Sequence, residues 1–103
     1  MNTITNERTN QHIANTFNAL ADATRLKIIN LLLEDDDKCV SELAAKLSVS
    51  VSAVSQSCKI LELNHLLRRQ RKGQKICYQV RLEDPFVRKI VKFVISSEGR
   101  SNE

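Results

Sequence analysis

The ten residues from 48 to 57 constrain the fold more than any other stretch, because they carry two incompatible periodicities. They read SVSVSAVSQS, and serine alternates with valine over the first five. Strict alternation is typical of a half-buried strand. The alternation stops at Ala53, which Val54 follows directly. A strand would therefore explain only the first half of the stretch.

A helix that begins near Val51 explains the remainder. Apolar residues then share one face at helical spacing, and polar residues share the opposite face. The apolar set is Val51, Val54, Cys58 and Leu61, and the polar set is Ser52, Ser55, Gln56 and Lys59. Ser50 suits the N-cap, because its hydroxyl can accept a hydrogen bond from an N–H of the first turn. We therefore predict a helix here, preceded by a turn at residues 48–49.

Helical spacing predicts four more helices. A first helix spans roughly residues 10–19, and Asp22 can cap a second, which is apolar on most sides. The acidic run 34–37 ends the second helix, and a short third helix follows at 40–47. The Asp-Pro pair at 84–85 opens a last helix with two apolar stripes. One stripe can cover the core, and the other needs a partner, most simply the same helix of a second subunit.

Strand periodicity appears only after residue 67. Residues 68–71 form a basic ribbon, and Lys72 and Gly73 make a turn in which the glycine supplies a positive φ. Residues 76–82 then alternate strictly, with Cys77 on the outward face. Two strands with a basic tip form a wing. We predict a mainly α fold with a β-hairpin wing, a winged helix-turn-helix in the order α-α-α-α-β-β-α that dimerises through its first and last helices.

Charge is distributed unevenly along the 103 residues, whose net charge is +4. Residues 1–58 hold five basic and seven acidic side chains, whereas residues 59–92 hold ten basic and three acidic ones, a net charge of +7. A basic half on a small domain indicates a polyanion partner, although a merely solvated cationic face stays open on charge alone.

Length suits one domain, which we predict at residues 10–97 between a flexible arm (1–9) and a flexible tail (98–103). No apolar run approaches the ~20 residues that span a bilayer. The polar N-terminus lacks the apolar core of a signal peptide, so we expect a cytoplasmic protein with no membrane partner. The three cysteines are odd in number and far apart, so we expect reduced thiols without a disulfide framework.

The order of elements carries the functional prediction. Two helices joined by a short turn, the second polar on its outer face, form a helix-turn-helix whose second helix can enter a DNA major groove. The basic hairpin would follow the phosphate backbone or the minor groove next to it. The predicted DNA-binding residues are Ser50, Ser52, Ser55, Gln56, Lys59, Arg68, Arg69, Arg71, Lys72 and Lys75.

Three segments give the chain its resemblance to a known family. FNALADATRLKIINLLLE, CVSELAAKLSVSVSAVSQSCKILELNHLL and GQKICYQV resemble the ArsR/SmtB-type winged helix-turn-helix repressors over about residues 13–95. The resemblance implies a homodimer that binds an imperfect palindromic operator in double-stranded DNA. It also implies repression of a nearby operon until an inducer binds.

None of the inducer sites that the resemblance implies is complete in this sequence. The arsenic type has C-x-C at the start of the third helix, where this chain has Cys39 followed by Val40 and Ser41. The zinc type needs Asp and His on the last helix, which lacks them. A pair on the recognition helix would need a second thiol beside Cys58, and the thiol-switch type would need one on the last helix. The inducer therefore stays open between a thiol oxidant, a metal ion, an organic ligand and no inducer at all.

Each cysteine has a plainer interpretation. Cys58 falls on the apolar stripe and is expected in the core. Cys39 lies at a helix cap and is expected to be structural, and Cys77 is expected to be the exposed thiol. Cys39 and Cys77 are the candidates for sensing. We predict no metal ligands and no cofactor, although His12 could complete a site with the third helix of the other subunit.

We therefore predict a homodimeric, sequence-specific DNA-binding transcriptional repressor. The alternative is a winged-helix protein-interaction module whose basic face binds an acidic partner. An enzyme is disfavoured, because no Ser/His/Asp or Cys/His set is visible.

Overall fold

A computed structural model describes residues 9–35 and 38–99, with side chains as far as residue 95. The elements of this part of the chain are, in order, α1 (Asn10–Leu20), α2 (Ala23–Glu34), β1 (Lys38–Cys39), α3 (Val40–Leu47), α4 (Val51–Leu63), β2 (Leu67–Lys72), β3 (Lys75–Val80) and α5 (Pro85–Gly99). The predicted mainly α fold with a β-hairpin wing is confirmed. The strand β1 is an addition that the predicted order lacked.

Polar side chains fix where the helices begin. The Thr9 hydroxyl accepts a hydrogen bond from the His12 amide at 3.0 Å, and the predicted cap Asp22 accepts one from the Arg25 amide at 3.0 Å. The Arg25 guanidinium also donates to the Ala19 carbonyl at 2.6 Å. Such caps satisfy amides that the first turn leaves without an intrahelical partner, which locates the break between α1 and α2 at residues 21–22.

The sheet is antiparallel and has the strand order β1-β3-β2, so the wing strand β3 is central. Lys72 pairs with Lys75 and therefore closes the hairpin, and the two-residue turn is Gly73 and Gln74. Gly73 has the predicted positive φ, at +63°. The strand ends at Val80, earlier than the alternation to residue 82 predicted.

The core lies where α2, α3, α4 and the base of the sheet meet. On α4 it takes Val54, Cys58 and Leu61, each without exposed surface. Fully burying an aliphatic side chain of this size contributes about 1.5–3 kcal/mol relative to leaving it exposed. Val51, predicted on the same stripe, is 53% exposed, because the first turn of α4 projects beyond the core.

The two predicted stripes of α5 differ in their surroundings. Val87 and Val91 are buried in the core, whereas Phe93 is 71% exposed. Phe17 on α1 is also exposed, by 53%. Within the described residues, both helices thus carry a large apolar side chain that the chain itself does not cover.

None of the helices in the described part of the chain combines the length and the apolar character needed to cross a bilayer. Residues 1–8 and 100–103, which make up most of the predicted arm and tail, lie outside the described residues. So do Asp36 and Asp37 of the acidic run.

Candidate nucleic-acid interface

The stretch 48–57 is the turn and the first half of a helix, so the strand interpretation is excluded. α3 ends in Ser48, whose left-handed backbone (φ 57°, ψ 42°) reverses the chain. The Val49 amide then bonds to the Ala44 carbonyl at 3.2 Å. Ser50 is the N-cap of α4, because its Oγ accepts from the Ala53 amide at 3.0 Å. A helix-turn-helix is thereby complete within residues 40–63.

The outer face of α4 is polar and open. Ser52, Gln56 and Lys59 are exposed, and Ser55 is half-buried beside them. The spacing of 52, 56 and 59 places these side chains along one line of the helix. A hydroxyl, a carboxamide and an ammonium group in this order can donate to or accept from base edges and can contact phosphate.

A cleft of about 480 Å³ separates α4 from the wing, which comprises β2, β3 and the turn at Gly73 and Gln74. We call it the wing cleft. Its walls carry four of the predicted DNA-binding residues, namely Ser55, Lys59, Arg69 and Lys75. Three of the four are cationic, so the structure gathers positive charge from two separate elements around one groove.

The remaining wing cations differ in their surroundings. Arg71 and Lys72 are exposed next to the turn, whereas Arg68 pairs with Glu83. Arg81 lies 3.3 Å from the same carboxylate. A hydrogen bond from its own backbone amide, and then the two arginines, lower the pKa of Glu83. Arg68 is therefore held at the base of the wing and lines a different groove from Arg69.

Two polar residues of the wing cleft are absent from the predicted set. Ser41 lies in the first turn of α3, and Gln74 lies in the hairpin turn. The position of Gln74 directly after Gly73 was a usable signal, because it places the residue at the tip of the predicted basic hairpin. Ser41 had no such signal, since only the fold brings the start of α3 to the wing.

The predictions for two cysteines are wrong. Cys39 and Cys77 form a disulfide bond, where we expected free thiols. Cys77 has no exposed surface, where we expected an exposed residue. The cause is β1, which pairs with the outer edge of β3 and sets Cys39 directly opposite Cys77. Alternation within an isolated hairpin could not reveal that third strand.

The third cysteine behaves as predicted. Cys58 is the free cysteine among the described residues and has no exposed surface. Burial, with a smaller effect from the Glu62 carboxylate, raises its pKa to about 12. Its thiol therefore stays protonated near neutral pH, which makes it a packing residue of α4.

The two histidines lie close together. The ring centroids of His12 and His65 are 5.8 Å apart, and Phe86 packs against His12 at 6.1 Å. Across the described residues, His, Cys, Asp and Glu nowhere gather in groups of three or more that could hold a metal ion.

Comparisons with known proteins agree with this geometry. The family model described as "Bacterial regulatory protein, arsR family" matches residues 22–69, which contain the whole helix-turn-helix. A transcriptional repressor SmtB homolog from Synechocystis sp. is 39% identical over 70 residues, which is 68% of this chain and 52% of that protein. The chain thus spans about half the length of this curated relative.

Two solved structures share the fold. The transcriptional repressor PagR of Bacillus anthracis is 28% identical and superposes with a TM-score of 0.70, covering 82% of this chain and 93% of that chain. A homodimeric winged helix-turn-helix DNA-binding domain from Mycobacterium bovis is 19% identical, with a TM-score of 0.76, and covers 94% of this chain and 93% of that one. The two solved structures show a shared fold, and the family model together with the repressor homolog shows that the chain belongs to the ArsR family of bacterial regulatory proteins, which are transcriptional regulators and not enzymes.

Proposed function

We propose that this protein is a homodimeric transcriptional repressor that reads an imperfect palindromic operator in double-stranded DNA. The observation that carries the proposal is the exposed polar face of α4 next to a cationic wing. The major groove of B-DNA admits a helix, and phosphates on either side attract cations. Recognition helix and wing would therefore contact adjacent parts of one duplex.

The residues divide by the kind of contact they can make. Gln56 can bond adenine with both atoms of its carboxamide, and Lys59 can reach guanine or phosphate. Ser52 and Ser55 can bond either bases or phosphates over short distances. Ser50 keeps its Oγ on the Ala53 amide, so its part is to hold the first turn of α4.

The wing supplies contacts that do not depend on sequence. Arg71 and Lys72 flank the turn, and Arg69 and Lys75 line the wing cleft. Cations of this kind bind phosphate and set the register of the protein on the duplex. Arg68 contributes less, because Glu83 already neutralises it at the base of the wing.

Dimerisation would place two recognition helices about one turn of DNA apart, which matches a palindromic site. The exposed apolar residues Phe17 on α1 and Phe93 on α5 support this assembly. The Mycobacterium bovis domain with the same fold is described as homodimeric. A regulator of this type would act in the cytoplasm and be released from DNA by an inducer.

The test measures the affinity of the protein for DNA duplexes by fluorescence anisotropy, over a range of salt concentrations. We expect affinity for its own promoter to exceed that for a scrambled duplex by on the order of a thousandfold or more. We also expect log affinity to fall linearly with log salt concentration. Equal affinity for promoter, scrambled duplex and heparin would contradict the proposal and favour a module that binds an acidic protein.

A further inference from the structure

The Cys39–Cys77 disulfide joins the two halves of the proposed interface. Cys39 is the last residue of β1 and the N-cap of α3, and Cys77 lies in the middle of β3. The bond spans 38 residues of sequence and cross-links the start of the helix-turn-helix to the central strand of the wing. It is therefore placed where it can affect the position of one relative to the other.

The two cysteines differ in their exposure to solvent. Cys77 has no exposed surface, whereas Cys39 is half-buried and lines the wing cleft. A small molecule can thus reach the bond from one side, at Cys39. Thiol–disulfide exchange requires a thiolate to approach the sulfur that it attacks, so this difference selects the site of reaction.

The electrostatics of the cleft favour one class of reagent. Lys59, Arg69 and Lys75 line it together with Cys39, and no acidic side chain is among its lining residues in the described chain. An anionic thiol that carries carboxylates would be attracted into this groove and held next to the sulfur. Its volume of about 480 Å³ is adequate for a molecule the size of a tripeptide.

We propose that the wing cleft is a thiol–disulfide exchange site for anionic low-molecular-weight thiols of the glutathione class, that the reaction occurs at Cys39, and that reduction weakens DNA binding. The regulatory part rests on the proposed function. Disulfides in proteins that share a compartment with DNA are usually transient and redox-sensing rather than structural. A reversible bond is consistent with that placement.

The exchange is balanced in two steps. A thiolate RS⁻ attacks Sγ of Cys39, so that a Cys39–S–S–R bond forms and the Cys77 thiolate leaves and takes a proton from solvent. A second RS⁻ attacks the outer sulfur of this mixed disulfide, the one bonded to R. RSSR forms, and the Cys39 thiolate leaves and is then protonated. Two electrons pass from two RSH molecules to the protein disulfide, and RSSR reverses both steps.

Reduction is expected to weaken binding because the bond orders the wing cleft. β1 contributes only two residues to the sheet, so few hydrogen bonds remain to hold α3 to β3 once the bond is broken. The wing cations and the polar face of α4 would then have more freedom to lose on binding. We expect the reduced protein to bind its promoter roughly threefold to tenfold more weakly, through this loss of preorganisation.

Two single substitutions test the site of reaction by intact mass. The full-length Cys77→Ser variant, incubated with glutathione disulfide, should gain one glutathione, and peptide mapping should locate it on Cys39. The Cys39→Ser variant should gain none, because Cys77 is buried. Circular dichroism melting establishes that both variants are folded. Equal modification of both variants, or of neither, would overturn the exchange site.

A second measurement tests regulation in the wild-type protein. Promoter affinity is compared for protein equilibrated in glutathione buffers of different redox poise, with the oxidised fraction determined by acid quenching and alkylation. Cys58→Ala is the matched control, because it keeps the pair and should show the same redox dependence. Unchanged or stronger promoter binding after reduction would overturn regulation. Absence of promoter binding in both states would instead refute the proposed function, and the mass experiment would still decide the exchange site.

Discussion

Gln56 and Arg71 represent the two kinds of contact that single residues make in the proposed complex. Gln56 is exposed on the outer face of α4, and Arg71 is exposed beside the wing turn. Neither side chain packs in the core, so truncating either should leave the fold intact. Their effects on DNA binding can therefore be separated from effects on stability.

We expect Gln56→Ala to reduce the preference for promoter over scrambled DNA by roughly fivefold to a hundredfold, since a bidentate base contact contributes about 1–3 kcal/mol. Arg71→Ala should weaken binding to both duplexes alike and lower the salt slope by about 0.9 for each lost phosphate contact. Anisotropy titrations measure both quantities. The division of roles is wrong if the two variants lose specific and non-specific affinity in the same proportion.

Glu83 should give the stability of the protein a dependence on acid. Its pKa is lowered in the folded protein, mainly by its own backbone amide and then by Arg81 and Arg68. The contribution is therefore present above the unfolded pKa and is lost as the pH falls through the lower folded pKa. We expect Glu83→Gln to melt at a lower temperature than wild type near pH 7, with the difference shrinking as the pH falls below the ordinary pKa of a glutamate. A difference that stays constant with pH would show that the carboxylate charge is not responsible.

At the scale of elements, the turn between α3 and α4 contains two serines with opposite demands on the backbone. Ser48 has a left-handed conformation, which suits glycine, and Ser50 has an extended one and caps α4 with its hydroxyl. The Oγ of Ser50 has a defined acceptor role, whereas the reversal at Ser48 depends on its backbone alone.

We expect Ser48→Gly to stabilise the fold by about 0.5–1 kcal/mol, because the relief of left-handed strain exceeds the entropy that glycine loses. Ser50→Ala should destabilise it by about 1 kcal/mol through loss of the cap. Urea unfolding gives both free energies of unfolding, and each variant serves as the control for the other. Shifts of the same sign would contradict the assigned backbone roles.

The elements also show which parts of the fold can be read from sequence. Helices and caps were predictable, because apolar spacing and residues such as Asp22 and Ser50 act within a few positions of where they stand. β1 was not predictable, since two residues carry no periodicity and their pairing with β3 depends on contacts far apart in sequence. The errors at Cys39 and Cys77 follow from this omission. The candidate DNA-binding face was predictable from α4, but its enclosure by Ser41 was not.

At the scale of the whole molecule, we expect the apolar surface of α1 and α5 to hold the proposed dimer together. Phe93 is 71% exposed, and Leu63 on α4, which belongs to neither helix, is exposed to a similar extent at 73%. The two positions make a matched pair, because a charge placed at either meets a similar degree of solvent exposure.

We expect Phe93→Glu to shift the protein from dimer to monomer, because the charge would have to be buried without a partner in the interface. Leu63→Glu should leave the dimer intact. Sedimentation velocity at micromolar concentrations distinguishes the two species. The dimer interface is misplaced if Leu63→Glu dissociates the protein and Phe93→Glu does not.

No residue separates β1 from α3, since the strand ends at Cys39 and the helix starts at Val40. The same backbone therefore leaves the sheet and enters the first helix of the helix-turn-helix without an intervening loop. We expect a tilt of the hairpin to shift α3 and, through the packing of α3 on α4, the candidate DNA-binding side chains of α4. A ligand that moves the hairpin should therefore also change the angle at which α4 meets DNA, even if it never touches α4 itself.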